Sequence, residues 1–467
     1  MKFKPYEQHQ LIFLPSSIEE LVPEDHLVNV IDSIVEELDL RELYNSYGEE
    51  GQPAYHPKML LKILLYGYSI NVRSSRKISE RLKSDVFFMY LSGMQRPDFR
   101  TISDFRLKKR KYLEDYFVSV LNICSQVGLY KLDHISIDGS KIKANASKKK
   151  TKEEDELNKY EERVKGILDE AEGIDKKEDE EYGNKSGYEL PEELTNKEKL
   201  LKKIREAKES LKEENQKRIN MTDGDARFMK KGDGGIDVCY NAQIAVDKEN
   251  RIITACEVIK EGNDNYAFSA IYEKVLNNTK RKPKEVSADA GYFSGRTYLY
   301  LEENNIDGYI PESRYEKEFR EGLGAFHRKR FSYQEDKDEY VCPMNQVLKF
   351  KKNDKRNGVR FKEYRGISCL ECSKGRECIT HKTSKYRQVQ RYENEEYKQL
   401  MYEKLTSEEG RQKYNQRMGI VEPVFAQLKY IMGFNRFLLR GLDKVKSEFS
   451  LICTAYNIKK VAKLLPV

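Results

Sequence analysis

The chain has 467 residues, enough for about three domains at roughly 150 residues each and for a substantial buried core. Its 85 Lys and Arg stand against 78 Asp and Glu, so 35% charged residues leave a net charge of only +7, a composition that favours long, solvated helices. The longest apolar run, MLLKILLYGY, is broken by Lys62 and falls short of the ~20 residues of a membrane span, which excludes a membrane protein; the opening MKFKPYEQHQ has no apolar secretion segment, so a cytoplasmic location is expected.

Residues 1–130 read as helical. Pro57 opens PKMLLKILLYGYSI, Ser74 or Ser75 caps RKISERLK, and Thr101 caps one long helix, ISDFRLKKRKYLEDYFVSVL. Helices of this size joined by tight turns suit a helix-turn-helix-like DNA-binding module, with Arg100, Arg106, Lys108, Lys109, Arg110 and Lys111 as its cations. The same basic run also reads as an ordinary solvated face.

From residue 134 the apolar period changes from about 3.6 to 2. HISIDGSKI (134–142), VCYNAQIAVD (238–247) and RIITACEVI (251–259) read as strands, the last two joined in a hairpin at Asp247 to Asn250. A helix with Ala267, Ile271 and Val275 follows, then a strand EVSAD (285–289), a helix RTYLYLEEN (296–304) and a strand DGYI (307–310). Three strands, a helix, a strand, a helix and a strand give an α/β class with an RNase-H-like mixed sheet. Residues 148–220 interrupt it with 19 Lys or Arg and 22 Asp or Glu, which leaves +10 on the rest. Leu157, Tyr160, Val164, Leu168 and Ala171, then Leu201, Ile204, Ala207 and Leu211, recur at helical spacing on either side of YGNKSGYELP. This predicts a helical hairpin with one thin apolar stripe, read as a solvated spacer.

Asp138 falls at the end of the first strand and Asp289 at the end of the fourth. Adjacent strands of such a sheet bring the two carboxylates together, and so close a pair calls for a hard cation, magnesium above all. Two such ions ~3.5–4 Å apart suit phosphodiester cleavage. Taken singly, each Asp also reads as a turn residue. A third carboxylate is expected from Glu422 in YNQRMGIVEPVFAQLKY, with Tyr414, Arg417 and Lys429 holding phosphates. Pro423 directly after it predicts a helix start there.

Cys342, then Cys369, Cys372 and Cys378 in SCLECSKGREC, have the residue types of a structural zinc site, with His381 as a substitute ligand. Four unlinked thiols are the other reading. Cys124, Cys239, Cys256 and Cys453 lie among apolar neighbours and read as core. HRKR (327–330) adds positive charge nearby.

The series ISIDGS, VSADAGYFSG and YNQRMGIVEPVFAQLK resembles the Asp-Asp-Glu transposases of bacterial insertion sequences. EDHLVNVIDSIVEELDL, YHPKMLLKILLYGY, RPDFRTISDFR and NMTDGDARFMKKGDGGIDVCYNAQIAVD resemble one large subgroup of them. Tyr414, Arg417, Glu422 and Lys429 follow that family's closing motif, except that four residues, not three, separate Arg417 from Glu422. The resemblance implies an enzyme that cleaves transposon-end DNA and joins the 3′ ends to target DNA. Asp138, Asp289 and Glu422 would be its catalytic ligands for two magnesium or manganese ions. Terminal inverted repeats and target duplex would be its partners, and a homodimer or larger assembly would form on DNA. A regulator without catalysis and a nuclease without strand transfer remain as alternatives. The expected organisation is a helical DNA-binding domain over 1–130, a catalytic core from 131–147 and 221–311, the hairpin over 148–220, a zinc-ribbon-like Cys-rich β insertion over 312–400, and helices over 401–467 that complete the core.

Overall fold

The computed structural model describes residues 17–48, 53–182, 192–232, 234–356, 359–379 and 383–465. The longer front helices are α1 (Leu27–Glu36), α2 (Pro57–Ser69), α3 (Phe99–Lys108) and α4 (Arg110–Gln126). Pro57 takes the first position of α2, where its missing N–H costs nothing. The long helix expected after Thr101 is two helices, broken at Lys109, and the cap is Asp98, whose side chain accepts the Thr101 amide at 2.8 Å. Ser74 precedes the helix Ser75–Arg81 without a capping side-chain bond.

The central sheet contains β1 (His134–Lys143), β2 (Arg227–Lys230), β3 (Ile236–Asp247), β4 (Ile253–Ile259), β5 (Glu285–Ala288) and β6 (Asp307–Tyr309). β3 pairs antiparallel with β1 on one side and with β2 and β4 on the other, while β5 and β6 continue parallel beyond β1. The order is therefore β4-β3-β1-β5-β6. β1 runs past Asp138 to Lys143, so Asp138 is mid-strand and not at its end. Parallel pairing stops at Ile137, and β3 alone holds the remainder.

Between β1 and β2 stand α5 (Glu154–Tyr182) and α6 (Glu192–Glu213). Leu157, Val164, Ile204, Ala207 and Leu211 form a small core of their own with Ile219. Tyr160, expected in that stripe, is exposed, and the connecting segment lies outside the described residues.

After α7 (Ala267–Thr279) and α8 (Gly295–Glu303), a second, antiparallel sheet contains β7 (Ser332–Gln334), β8 (Glu339–Val341), β9 (Val347–Arg356), β10 (Val359–Gly366) and β11 (Gln388–Tyr392), paired in the order β11-β10-β9-β8-β7. Leu348, Tyr364, Tyr340 and Val389 form its core. Helices α9 (Glu395–Thr406), α10 (Glu408–Ala426) and α11 (Leu442–Leu464) follow.

One continuous core joins Ile31 of α1, Leu64 of α2, Val120 of α4, Ile137 of β1, Ile271 of α7 and Ile452 of α11. α11 packs on α1, α2, α4 and β4, and its buried Asn457 bonds both the N–H and the C=O of Ile253. No described helix is long and apolar enough to cross a membrane.

Candidate active site

β1 and β5 run parallel with Ile137 opposite Ala288, so the next residues, Asp138 and Asp289, lie side by side at the point where the pairing ends. Each carboxylate accepts a nearby amide at 2.8 Å, Asp138 from Gly139 and Asp289 from Gly291. Burial pushes the Asp138 carboxyl up to about 7; the Asp289 charge adds to this, and the Arg417 guanidinium opposes it. Arg417 Nη1 stands 3.6 Å from Asp138 Oδ2. Its Nε is buried without an acceptor among the described residues, a donor suited to an anionic oxygen.

A third carboxylate borders this pair, and it is one that the sequence reading missed. Asp264, between β4 and α7, accepts from Asn241 at 2.6 Å and Gln243 at 2.7 Å, both on β3, and Lys141 of β1 lies 3.3 Å away. Gln243 in turn accepts from the buried Tyr292 hydroxyl. A Cβ on Gly139 would stand 2.2 Å from Gln243 Nε2, and one on Gly291 would stand 2.9 Å from Asp289 Oδ1. Glycine at both positions leaves room for this network, which any side chain there would push aside. Asn241 and Gln243, polar and fully buried between Tyr240, Ala242 and Ile244, were the signal that could have revealed it.

Glu422 lies elsewhere on its helix. It is exposed and sits in the last turns of α10 rather than at a helix start. Pro423 is inside that helix, and the carbonyl it leaves without an N–H, that of Gly419, accepts from Arg251 Nε at 2.9 Å. A π turn over Gln427–Ile431 then ends the helix. Five residues beyond Arg417, Glu422 is turned by about 140° around the axis, away from the face that meets Asp138. Lys429, in the π turn, does reach the site, where it donates to Ser140. Tyr414 is buried on the Arg417 side and packs edge-on against Tyr315. Among the described residues no three of His, Cys, Asp and Glu are grouped to hold a metal ion.

The same finding lends the zinc reading no support. Cys342, Cys369 and Cys372 lie in loops beside the second sheet and Cys378 ends the short helix Gly375–Cys378, near enough that the other three, with burial as the main cause, raise the Cys378 thiol against the pull of Arg387. Cys342 and Cys369 sulfurs accept amides from Gln346 and Arg387 at 3.3 and 3.4 Å. They do not close into a metal-holding group, and His381 lies outside the described residues.

The front-helix cations divide. Arg100, Lys108 and Arg110 are exposed, with Lys108 paired to Asp104 at 2.7 Å. Lys109 donates to Ser46 and stacks on Tyr47. Arg106 is buried, with its guanidinium on Tyr68 Oη at 3.1 Å and the Arg73 carbonyl at 3.0 Å, so it holds helices together and is not available to DNA. Beside the carboxylates, a groove of about 800 Å³ is lined by Lys141, Lys143, Lys230, Lys231, Lys429 and Arg436.

Two family models match this chain: the Transposase DDE domain over residues 341–462 and the Transposase domain (DUF772) over residues 16–108. The two matches indicate an insertion-sequence transposase of the DDE type. No match was found among the curated proteins or among the solved structures. The first matched stretch holds Tyr414, Arg417, Glu422 and Lys429, and the second reaches Lys108. Asp138 and Asp289 lie between the two.

Proposed function

We propose that this transposase cleaves transposon-end DNA and joins the freed 3′ ends to target DNA through divalent-metal phosphodiester chemistry on an RNase-H-like core. The observation that carries the reading is the side-by-side placement of Asp138 and Asp289 where β1 and β5 part, faced by Arg417. The strand order, with three antiparallel strands followed by two parallel ones, supports the core assignment.

Two adjacent carboxylates fit magnesium or manganese, which bind through one or two acids with water and substrate oxygens filling the remaining positions. Asp138 and Asp289 would hold the ion, which when bound polarises the phosphate and activates the attacking oxygen. Arg417 now supplies the positive charge that the pair needs, and its free Nε would take a phosphate oxygen of the scissile strand. Lys429 and the groove lysines would hold the backbone on either side. Glu422 is assigned the third acid by its motif alone. Its exposed position favours, as a second reading, a DNA-binding regulator that kept the fold without the complete triad. The helical front, the hairpin, the β insertion and the closing helices are proposed as the parts of one DNA-processing unit, which would work as a dimer or larger assembly on two DNA ends.

The test is magnesium-dependent cleavage and joining of terminal inverted-repeat DNA. Asp138→Ala and Asp289→Ala should abolish both, and cleavage that survives either change defeats the catalytic reading. Cleavage without joining by the parent chain would reduce it to a nuclease.

A further inference from the structure

The whole chain has a net charge of +7, and two paired strands carry most of it. β9 together with residues 360–366 of β10 holds eight Lys and Arg against Asp354 and Glu363, a net +6 on one two-stranded ribbon. β8 pairs with β9 only over residues 347–349, so from Phe350 to Arg356 the outer edge of the ribbon is open, a length of about 20 Å.

The register matters more than the count. Lys355 stands directly opposite Arg360, and like charges in that position destabilise an antiparallel pair. Lys352, Lys362 and Arg365 are answered by Asp354, Asp338 and Glu363. Lys355 and Arg360 are both exposed and have no ion-pair partner among the described residues. Lysine on an open edge also deters edge-to-edge aggregation, but that purpose does not call for a cation on the strand behind the edge. Like charges that stand opposite one another and form no ion pair among the described residues fit an external polyanion.

We propose that the β9–β10 ribbon is an arm for duplex DNA, with Lys355 and Arg360 against phosphates. A two-stranded ribbon has the width that the major groove of B-form DNA admits. The proposal rests on the transposase reading and adds to it a surface outside the carboxylate site.

The test uses the full chain with Lys355→Gln and Arg360→Gln combined, and a short fluorescent random-sequence duplex titrated at several salt concentrations. The variant should bind about tenfold more weakly, and its slope of log affinity against log salt should fall by about 0.9 for each lost phosphate contact. Its melting temperature should equal or exceed the parent's, because the repulsion is gone. Parental affinity and slope in the variant overturn the arm while leaving the transposase reading standing. A loss seen with single-stranded RNA but not with duplex DNA also overturns it. Failure of the parent chain itself to bind any duplex overturns the underlying reading instead.

Discussion

Arg73, just after α2, places its guanidinium 3.4 Å from the carboxylate of Glu448 on α11, although 375 residues separate them in sequence. Arg73 also donates to the carbonyls of Arg436 and Gly433, and Glu448 accepts the amides of Leu438 and Leu439. The pair thus ties the front helices to the loop that follows the Lys429 turn.

Both side chains are buried, so removing one leaves the other charged and uncompensated. Glu448→Ala should cost about 3–5 kcal/mol of unfolding free energy. Urea denaturation checks this, and a loss below about 1 kcal/mol would show the pair to be incidental.

Asp289→Asn should separate stability from activity. It removes half of a repelling pair, so in the absence of divalent cation the variant should melt at or above the parental temperature. Cleavage should fall to background. A lower melting temperature would mean that the two carboxylates do not repel in the folded chain.

Asp264→Asn leaves Asp138 and Asp289 in place but weakens the hold on Lys141, Asn241 and Gln243 beneath them. Cleavage is expected to drop by about 10–100-fold, the usual effect of losing an outer partner of a metal-binding site. Activity equal to the parent's would make the network a purely structural filling.

Glu422→Gln decides between the two functional readings. If Glu422 joins the carboxylates when DNA is bound, cleavage is lost while duplex affinity is kept. Full cleavage by this variant would remove Glu422 from the catalytic set.

In the second sheet, hydrogen bonds from Tyr333, then Tyr364 and Lys362, hold the Asp338 carboxyl down at about 2. A depressed carboxylate stabilises the fold above its ordinary value near 4, and that contribution is lost as pH falls toward 2. The tyrosine near-ultraviolet circular dichroism should therefore weaken across that interval, and Asp338→Asn should remove this transition. An unchanged profile in the variant would refute the assignment.

The pairing of Asp138 with Asp289 was readable because alternation located the strands and their order located the neighbours. Arg106 was not, since a basic run looks the same in sequence whether one member points outward or onto Tyr68. Pro423 suggests a helix opening because nothing in the local sequence shows that Arg251, far away, donates to the stranded carbonyl of Gly419. The sequence predicts a β insertion over 312–400 but does not place its long ribbon, since Lys351 is an extra residue at the register shift between Phe350 and Lys352, which breaks the period-two pattern.

The reach of α11 across α1, α2, α4 and β4 also sets a schedule for synthesis. A ribosome releases the front helices and both aspartates long before Arg417, Glu448 and Asn457 exist, so none of these long-range contacts can form early. From Asp289 until the C-terminal helices emerge, the nascent chain therefore carries two neighbouring acids without Arg417 to face them. The core is completed only when α11 docks, so a product cut short before α11 is expected to lose the packing that α1, α2, α4 and β4 share with it.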